Sequence, residues 1–272
     1  MVVNLVLPLI FAAAIWWVST GVVIWLIGLP ERTFKATALI ATLVLGAATI
    51  MLLALRDDVS LSGAYVGFLV GIALWAWHEL MFLLGFLNGP RRSPCPPDLT
   101  TWDRFKASSE TVIHHELVIA AHAVVIVALS WGAQNKVAAW TFLLLWGMRI
   151  SAKLVVFFGA PRLSDDFLPS HLNYLKTYFR KTASKVFFPA AIMIVTSVAA
   201  VLAHRASAFE LGTFESLGFL MLAALATLAV FEHWALAAPI PDAALWSWAS
   251  QAPGGDAGGL NTRPSASQKR AN

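Results

Sequence analysis

Seven runs of apolar residues, each about as long as a bilayer core is thick, dominate this chain of 272 residues. They fall near 5–27, 36–55, 63–87, 112–131, 137–158, 186–203 and 216–237. Roughly 20 apolar residues in a helix cross the hydrocarbon. Lipid offers no partners to backbone N–H and C=O groups, so segments of this kind cross as complete helices. Charged residues make up only 12% of the chain, against about 25% in soluble domains. The expected fold is therefore all-α: one polytopic integral membrane helix bundle of about seven transmembrane helices. Residues 1–240 form the transmembrane domain, and 241–272, rich in Gly, Ser, Ala and Pro, read as a disordered cytoplasmic tail. No basic residue precedes the long first run, which is expected to stay as a helix and not be cleaved as a signal peptide.

The loops set the expected orientation. Fourteen of the 19 Lys and Arg fall on one side: Arg32, Lys35, Arg91, Arg92, Arg104, Lys106, Arg162, Lys176, Arg180, Lys181, Lys185, Arg263, Lys269 and Arg270. The other side receives Arg56, Lys136 and Arg205, and the remaining two, Arg149 and Lys153, lie within the fifth run. The positive-inside rule then puts the N-terminus in the periplasm and the C-terminus in the cytoplasm, as an odd number of spans requires. Because the charges punctuate apolar runs and build no basic face, a net charge of +4 does not imply a nucleic-acid partner. A single cysteine, Cys95, excludes an internal disulfide. Two connections on the basic side are long, near 88–111 and 159–185. In the second, Phe167, Leu168, Leu172, Leu175 and Phe179 recur at roughly helical spacing, which predicts an amphipathic helix lying in the interface. Arg91, Arg92, Arg180 and Lys181 read most simply as lipid headgroup contacts. Trp16, Trp17, Trp75 and Trp77 read as packing or interfacial belt residues.

Ionisable side chains inside the spans carry the functional signal, because each costs about 2.5–3.5 kcal/mol at mid-bilayer unless it has a partner or a task. They are His78 and Glu79, then His114, His115, Glu116 and His122, then Arg149 and Lys153, then Glu232 and His233. Counting about 1.5 Å per residue puts His78 roughly 15 Å from the cytoplasmic end of its run, His122 about 10 Å deeper than His115, and Glu232 and His233 about 8 Å inside. Four helices thus bring acids, bases and imidazoles to one slab of the membrane. A His beside a Glu recurs three times: His78-Glu79, His115-Glu116 and Glu232-His233. Three readings stand side by side. The set His78, Glu79, His115, Glu116, His122, Glu232 and His233 has the ligand types of a di-metal carboxylate centre, iron being the candidate, with Arg149 and Lys153 balancing charge. His78, His115, His122 or His233 could be an axial ligand to the magnesium of a chlorophyll-type pigment. The acids could also pair with Arg149, Lys153 and the histidines to hold helices together. Neighbouring residues point about 100° apart on a helix, so one His-Glu pair cannot easily offer both members to a single ion.

The segments HELMFLLGFLNGPRRSPCP, RFKASSETVIHHEL and LLLWGMRISAKLVVFFGAPRLSDDFLPSHLNYLKTYFRK resemble the photosynthetic complex assembly protein 2 family, PuhE, of purple phototrophic bacteria. The resemblance covers roughly residues 1–240 and is densest across 75–190. It implies a protein of the bacterial inner, or intracytoplasmic, membrane made alongside the reaction centre H subunit. It further implies a part in forming the reaction centre–light-harvesting complex, through bacteriochlorophyll handling or supply. Expected partners are reaction centre and light-harvesting polypeptides, pigment-synthesis proteins and membrane lipid. The rival expectation is a membrane-embedded, di-iron-like oxidoreductase acting on a pigment or its precursor. A transporter is less favoured because no repeat of broken helices is present, and a retinal protein because the seventh run contains no Lys.

Overall fold

The computed structural model describes residues 2–160, 168–180, 184–236 and 245–250. Seven helices in it are long and apolar enough to cross a membrane, and no strand occurs among the described residues. They are α1 (Val2–Ile27), α2 (Phe34–Ala54), α3 (Leu61–Leu83), α4 (Thr101–Leu129), α5 (Val137–Gly159), α6 (Phe187–Ser207) and α7 (Phe214–Ala235). The odd-numbered helices run in one direction and the even-numbered in the other. The end at which α1, α3, α5 and α7 finish is the lower end below.

Local chemistry sets the helix limits. Ser60, Thr100 and Thr213 each accept the N–H three residues on, capping α3, α4 and α7. The Thr100 cap starts α4 eleven residues before its apolar run, so polar turns from Thr101 extend the helix below the span. At the other extreme α3 stops at Leu83, short of the expected 87. Gly85, at φ +85°, donates to the Phe82 carbonyl while Phe86 donates to that of Met81, the paired bonds that close a helix at glycine.

The most enclosed helices are α3 and α7. At the upper end small residues let backbones approach: a Cβ on Gly71 would sit 2.6 Å from Thr141 Cβ and 2.7 Å from the Ala138 carbonyl oxygen. Ala12, Ala64, Phe68, Val137, Leu217 and Met221 fill the space between α1, α3, α5 and α7 there. A second cluster joins Leu52, Leu74, Ile119, Ile126 and Phe142 of α2 to α5.

The lower end is closed by polypeptide. The expected amphipathic helix is instead a 3₁₀ helix, Ser170–Tyr178, whose Leu172, Leu175 and Tyr178 recur every third residue and are buried. A period of three matches 3₁₀ geometry, and the apolar row packs against Phe82 of the bundle, not on lipid. Phe167 lies outside the described residues. The 88–100 connection is tied to the same layer: Tyr178 Oη donates to the Ser93 carbonyl at 3.1 Å, Cys95 N–H to Thr177 Oγ1 at 2.8 Å, and Arg104 to the Tyr178 carbonyl. Burial pushes the Tyr178 phenol above its usual range. Arg91 pairs with Glu110 at 2.7 Å, and Arg92 reaches the Gly85 carbonyl at 3.5 Å, so these two of the expected headgroup contacts find protein acceptors within reach. Arg162, Lys181, Arg263, Lys269 and Arg270 lie outside the described residues, as does most of 241–272. Within that stretch residues 245–250 pack on α1: Trp17 Nε1 donates to the Leu245 carbonyl at 3.0 Å, Trp246 Nε1 to the Trp17 carbonyl at 3.2 Å, and Trp248 covers Gly21.

Candidate functional site

Helix direction sorts each His-Glu pair into two different settings. On α3, His78 faces α4 and Glu79, one residue on, faces α5. His78 Nε2 lies 2.7 Å from His122 Nδ1, so the two imidazoles share one hydrogen, and the Phe142 ring packs against both. His78 is wholly buried, whereas His122 is half-buried and its Nε2 has no hydrogen-bond partner among the described residues.

Glu79 Oε2 pairs with Arg149 at 2.9 Å. Its Oε1 points at His115 Nε2, 3.9 Å away, too far for a hydrogen bond. Both atoms, and His115 Nδ1, are buried without a partner. The His115 ring lies over Phe82, with centroids 4.7 Å apart. Glu116 turns the other way, accepting from Lys153 at 2.5 Å and from Trp146 Nε1 at 3.3 Å. On α7, His233 is spent on Ser151 Oγ at 2.9 Å and the Ala229 carbonyl at 2.8 Å. Glu232 has no ion pair among the described residues; its exposed surface lines an internal cavity.

That cavity, about 750 Å³, occupies the lower half of the bundle. Its walls come from α1, α3, α4, α5 and α7, its floor from the 3₁₀ helix, and one side from Leu245 and Trp246. Most of the lining is apolar, including Trp16, Trp75, Phe82, Phe157 and Phe231. Four ionisable side chains break it: Glu79, Arg149, Lys153 and Glu232. Arg149 leaves 43% of its side chain exposed, although it stands ten residues, about 15 Å, above the end of α5.

Of the seven candidate metal ligands, His78 meets His122 and Glu79 approaches His115, while Glu116, Glu232 and His233 meet none of the others, so the set does not converge on one point. Among the described residues no group of three or more His, Cys, Asp or Glu is placed to hold a metal ion. The charge-balancing assignments have direct counterparts, since Arg149 holds Glu79 and Lys153 holds Glu116. Of the four candidate pigment ligands, His233 has both ring nitrogens engaged, while His115 and His122 keep a free Nε2. His114 and His171 stand apart: His114 Nδ1 meets the Asn88 carbonyl at 2.9 Å, and His171 Nε2 meets the Leu83 carbonyl at 3.0 Å, satisfying an end of α3. Sequence reasoning missed Ser151 and Trp146 as partners, and Trp246 as a wall. The tryptophan pair in ALWSWAS, isolated in a small-residue tail, was the available signal for the last.

Residues 2–255 match the family described as "Protein of unknown function (DUF3623)". The chain belongs to the DUF3623 family. This DUF3623 protein is also 35% identical over 239 residues, 86% of each chain, to a Rhodobacter capsulatus protein described as "Uncharacterized 30.4 kDa protein in puhA 5'region". Neither description carries the name PuhE. No solved structure matches.

Proposed function

We propose that this DUF3623 protein serves the assembly of the photosynthetic reaction centre–light-harvesting complex by holding a bacteriochlorophyll-type pigment, or its precursor, within the bundle. One observation carries the reading: a cavity of about 750 Å³ with aromatic walls and a few convergent polar groups. Ligand sites run to roughly 300–1,000 Å³ with mostly apolar walls, and this cavity has that size and character. The relative in the puhA 5′ region and the resemblance to PuhE support the photosynthetic context. The 14-to-3 charge asymmetry supports a cytoplasmic lower end and a periplasmic N-terminus. None of His78, His115, His122 and His233 lines the cavity, so Glu79, Arg149, Lys153 and Glu232 are the charged groups that would meet the pigment, and reaction centre and light-harvesting polypeptides are the receiving partners. The oxidoreductase reading finds less support, because Glu79 and Glu116 are committed to Arg149 and Lys153 and no three candidate ligands meet among the described residues.

The test is to purify the full chain from phototrophically grown cells and record its absorption and metal content. Red-absorbing pigment bands that fall when Ala152→Trp fills the cavity are the expected result. A colourless protein that carries about two irons per chain would overturn the reading.

A further inference from the structure

The charges around the cavity do not balance, and the imbalance selects a class of ligand. This rests on the reading above only in taking the cavity as a ligand site. Arg149 is the wall cation with the most donor capacity to spare among the described residues. A guanidinium has five N–H donors, and its partner among the described residues is Glu79 Oε2. Lys153 by contrast is committed to Glu116, whose second oxygen takes Trp146. The remaining guanidinium donors face a space whose walls are mostly aliphatic and aromatic, the polar exceptions including Ser19, Thr20, Ser108, Thr111 and Glu232. Donors left unsatisfied in such a setting are expensive, so an acceptor belongs there.

The acceptor's charge follows from the neighbours. Two carboxylates, Glu79 and Glu232, and two cations, Arg149 and Lys153, line the cavity, and a third carboxylate, Glu116, outside the lining takes Lys153. Glu232 is the surplus acid, lining the same cavity with no ion pair among the described residues. A ligand carboxylate at Arg149 would raise the count to four acids against two cations around an apolar enclosure. A neutral carbonyl oxygen takes the same N–H donors without adding charge.

We propose that the cavity takes a neutral, largely apolar molecule bearing a carbonyl oxygen, held at that oxygen by Arg149, and that Glu232 makes the site discriminate against the corresponding carboxylate. The apolar body lies against Trp16, Trp75 and Trp246, and the carbonyl end points towards α5. Arg149 is a binding residue in this scheme, and Glu232 sets specificity by repulsion.

Two matched pairs of probes test it, each pair differing in charge at one group: methyl bacteriochlorophyllide a against bacteriochlorophyllide a, and methyl oleate against oleate. The full chain in lipid nanodiscs is titrated with each, and bound probe is counted per protein against empty nanodiscs. Each ester is expected to bind at least about tenfold tighter than its acid, and Arg149→Gln to weaken the ester by about tenfold, the scale of a hydrogen bond to a charged group. Arg149→Lys keeps the charge but not the fork and should lie between; it carries the test if Arg149→Gln does not fold. Glu232→Gln should narrow the ester preference. If acids bind as tightly as esters, or if both Arg149 variants fold and leave ester affinity unchanged, the inference is wrong. Preference and Arg149 dependence for methyl oleate alone would keep it and remove the pigment. Pigment binding with no ester preference would do the reverse, and no binding by any probe would remove both.

Discussion

The upper and lower halves of the bundle solve the same problem, bringing α3, α5 and α7 together in lipid, in opposite ways. Above, Gly67, Gly71 and Gly218 let backbones touch, and no ionisable group is needed. Below, Arg149 and Lys153 of α5 hold Glu79 of α3 and Glu116 of α4 beside a cavity lined by rings. The upper half works by shape. The lower half works by paired charge and leaves space at its centre, so stability and function separate along the membrane normal.

That division can be broken at either end. The largest effect is expected from Gly71→Leu, whose side chain must displace Thr141 and the Ala138 backbone; overpacking of this kind costs roughly 1–3 kcal/mol or more. Thermal unfolding in detergent would register it, and a neutral outcome would mean that α3 and α5 are not in close contact. Next comes Glu79→Ala, which strands Arg149. Removing one partner of a wholly buried pair costs about 3–5 kcal/mol, and access to the cavity reduces that to about 1–2 kcal/mol at Arg149. The double change Glu79→Ala with Arg149→Ala should recover part of the loss, as a double-mutant cycle would show.

A smaller effect is expected at the imidazole pair. His122→Ala leaves His78 Nε2 buried and unpartnered, at about 1–2 kcal/mol, whereas changing both to Phe should be less damaging than changing His122 alone. Chemical denaturation of the single and double variants separates these outcomes. Least of all, Arg92→Ala should stay within about 0.5 kcal/mol, because its one contact is a long bond at the surface. A large loss there would mean that the floor of the lower half supports the whole bundle.

How far the lower half could be read in advance depends on what one helix knows about another. The seven spans follow from composition alone, because lipid demands long apolar helices whatever surrounds them. The common height of the charges also follows, since rise per residue is fixed: His78 and His122, each roughly 15 Å from the lower end of its apolar run by that count, do meet. Which acid meets which base was open, because helix order in the plane has no signature in a single chain. The cavity was invisible for the same reason, being a property of how α1, α5 and α7 splay. The stretch 168–179 was legible as amphipathic but not as 3₁₀, since Leu172 and Leu175 satisfy both periods and only Tyr178 selects the shorter one. Its burial against Phe82 needed tertiary contact. The early start of α4 was written in its Thr100 cap but hidden by attention to apolarity.

Everything turns on whether the lower-half charges face a shared interior space. Thiol labelling decides it most directly. In a Cys95→Ser background, Ala152→Cys is placed on the cavity wall between Arg149 and Lys153, and Leu43→Cys on the outer face of α2, where that residue is 66% exposed. A small polar thiol reagent should label the first, with protection on adding the methyl ester probe, and should leave the second untouched. Equal inertness of the two positions would show that no accessible cavity lies between the helices.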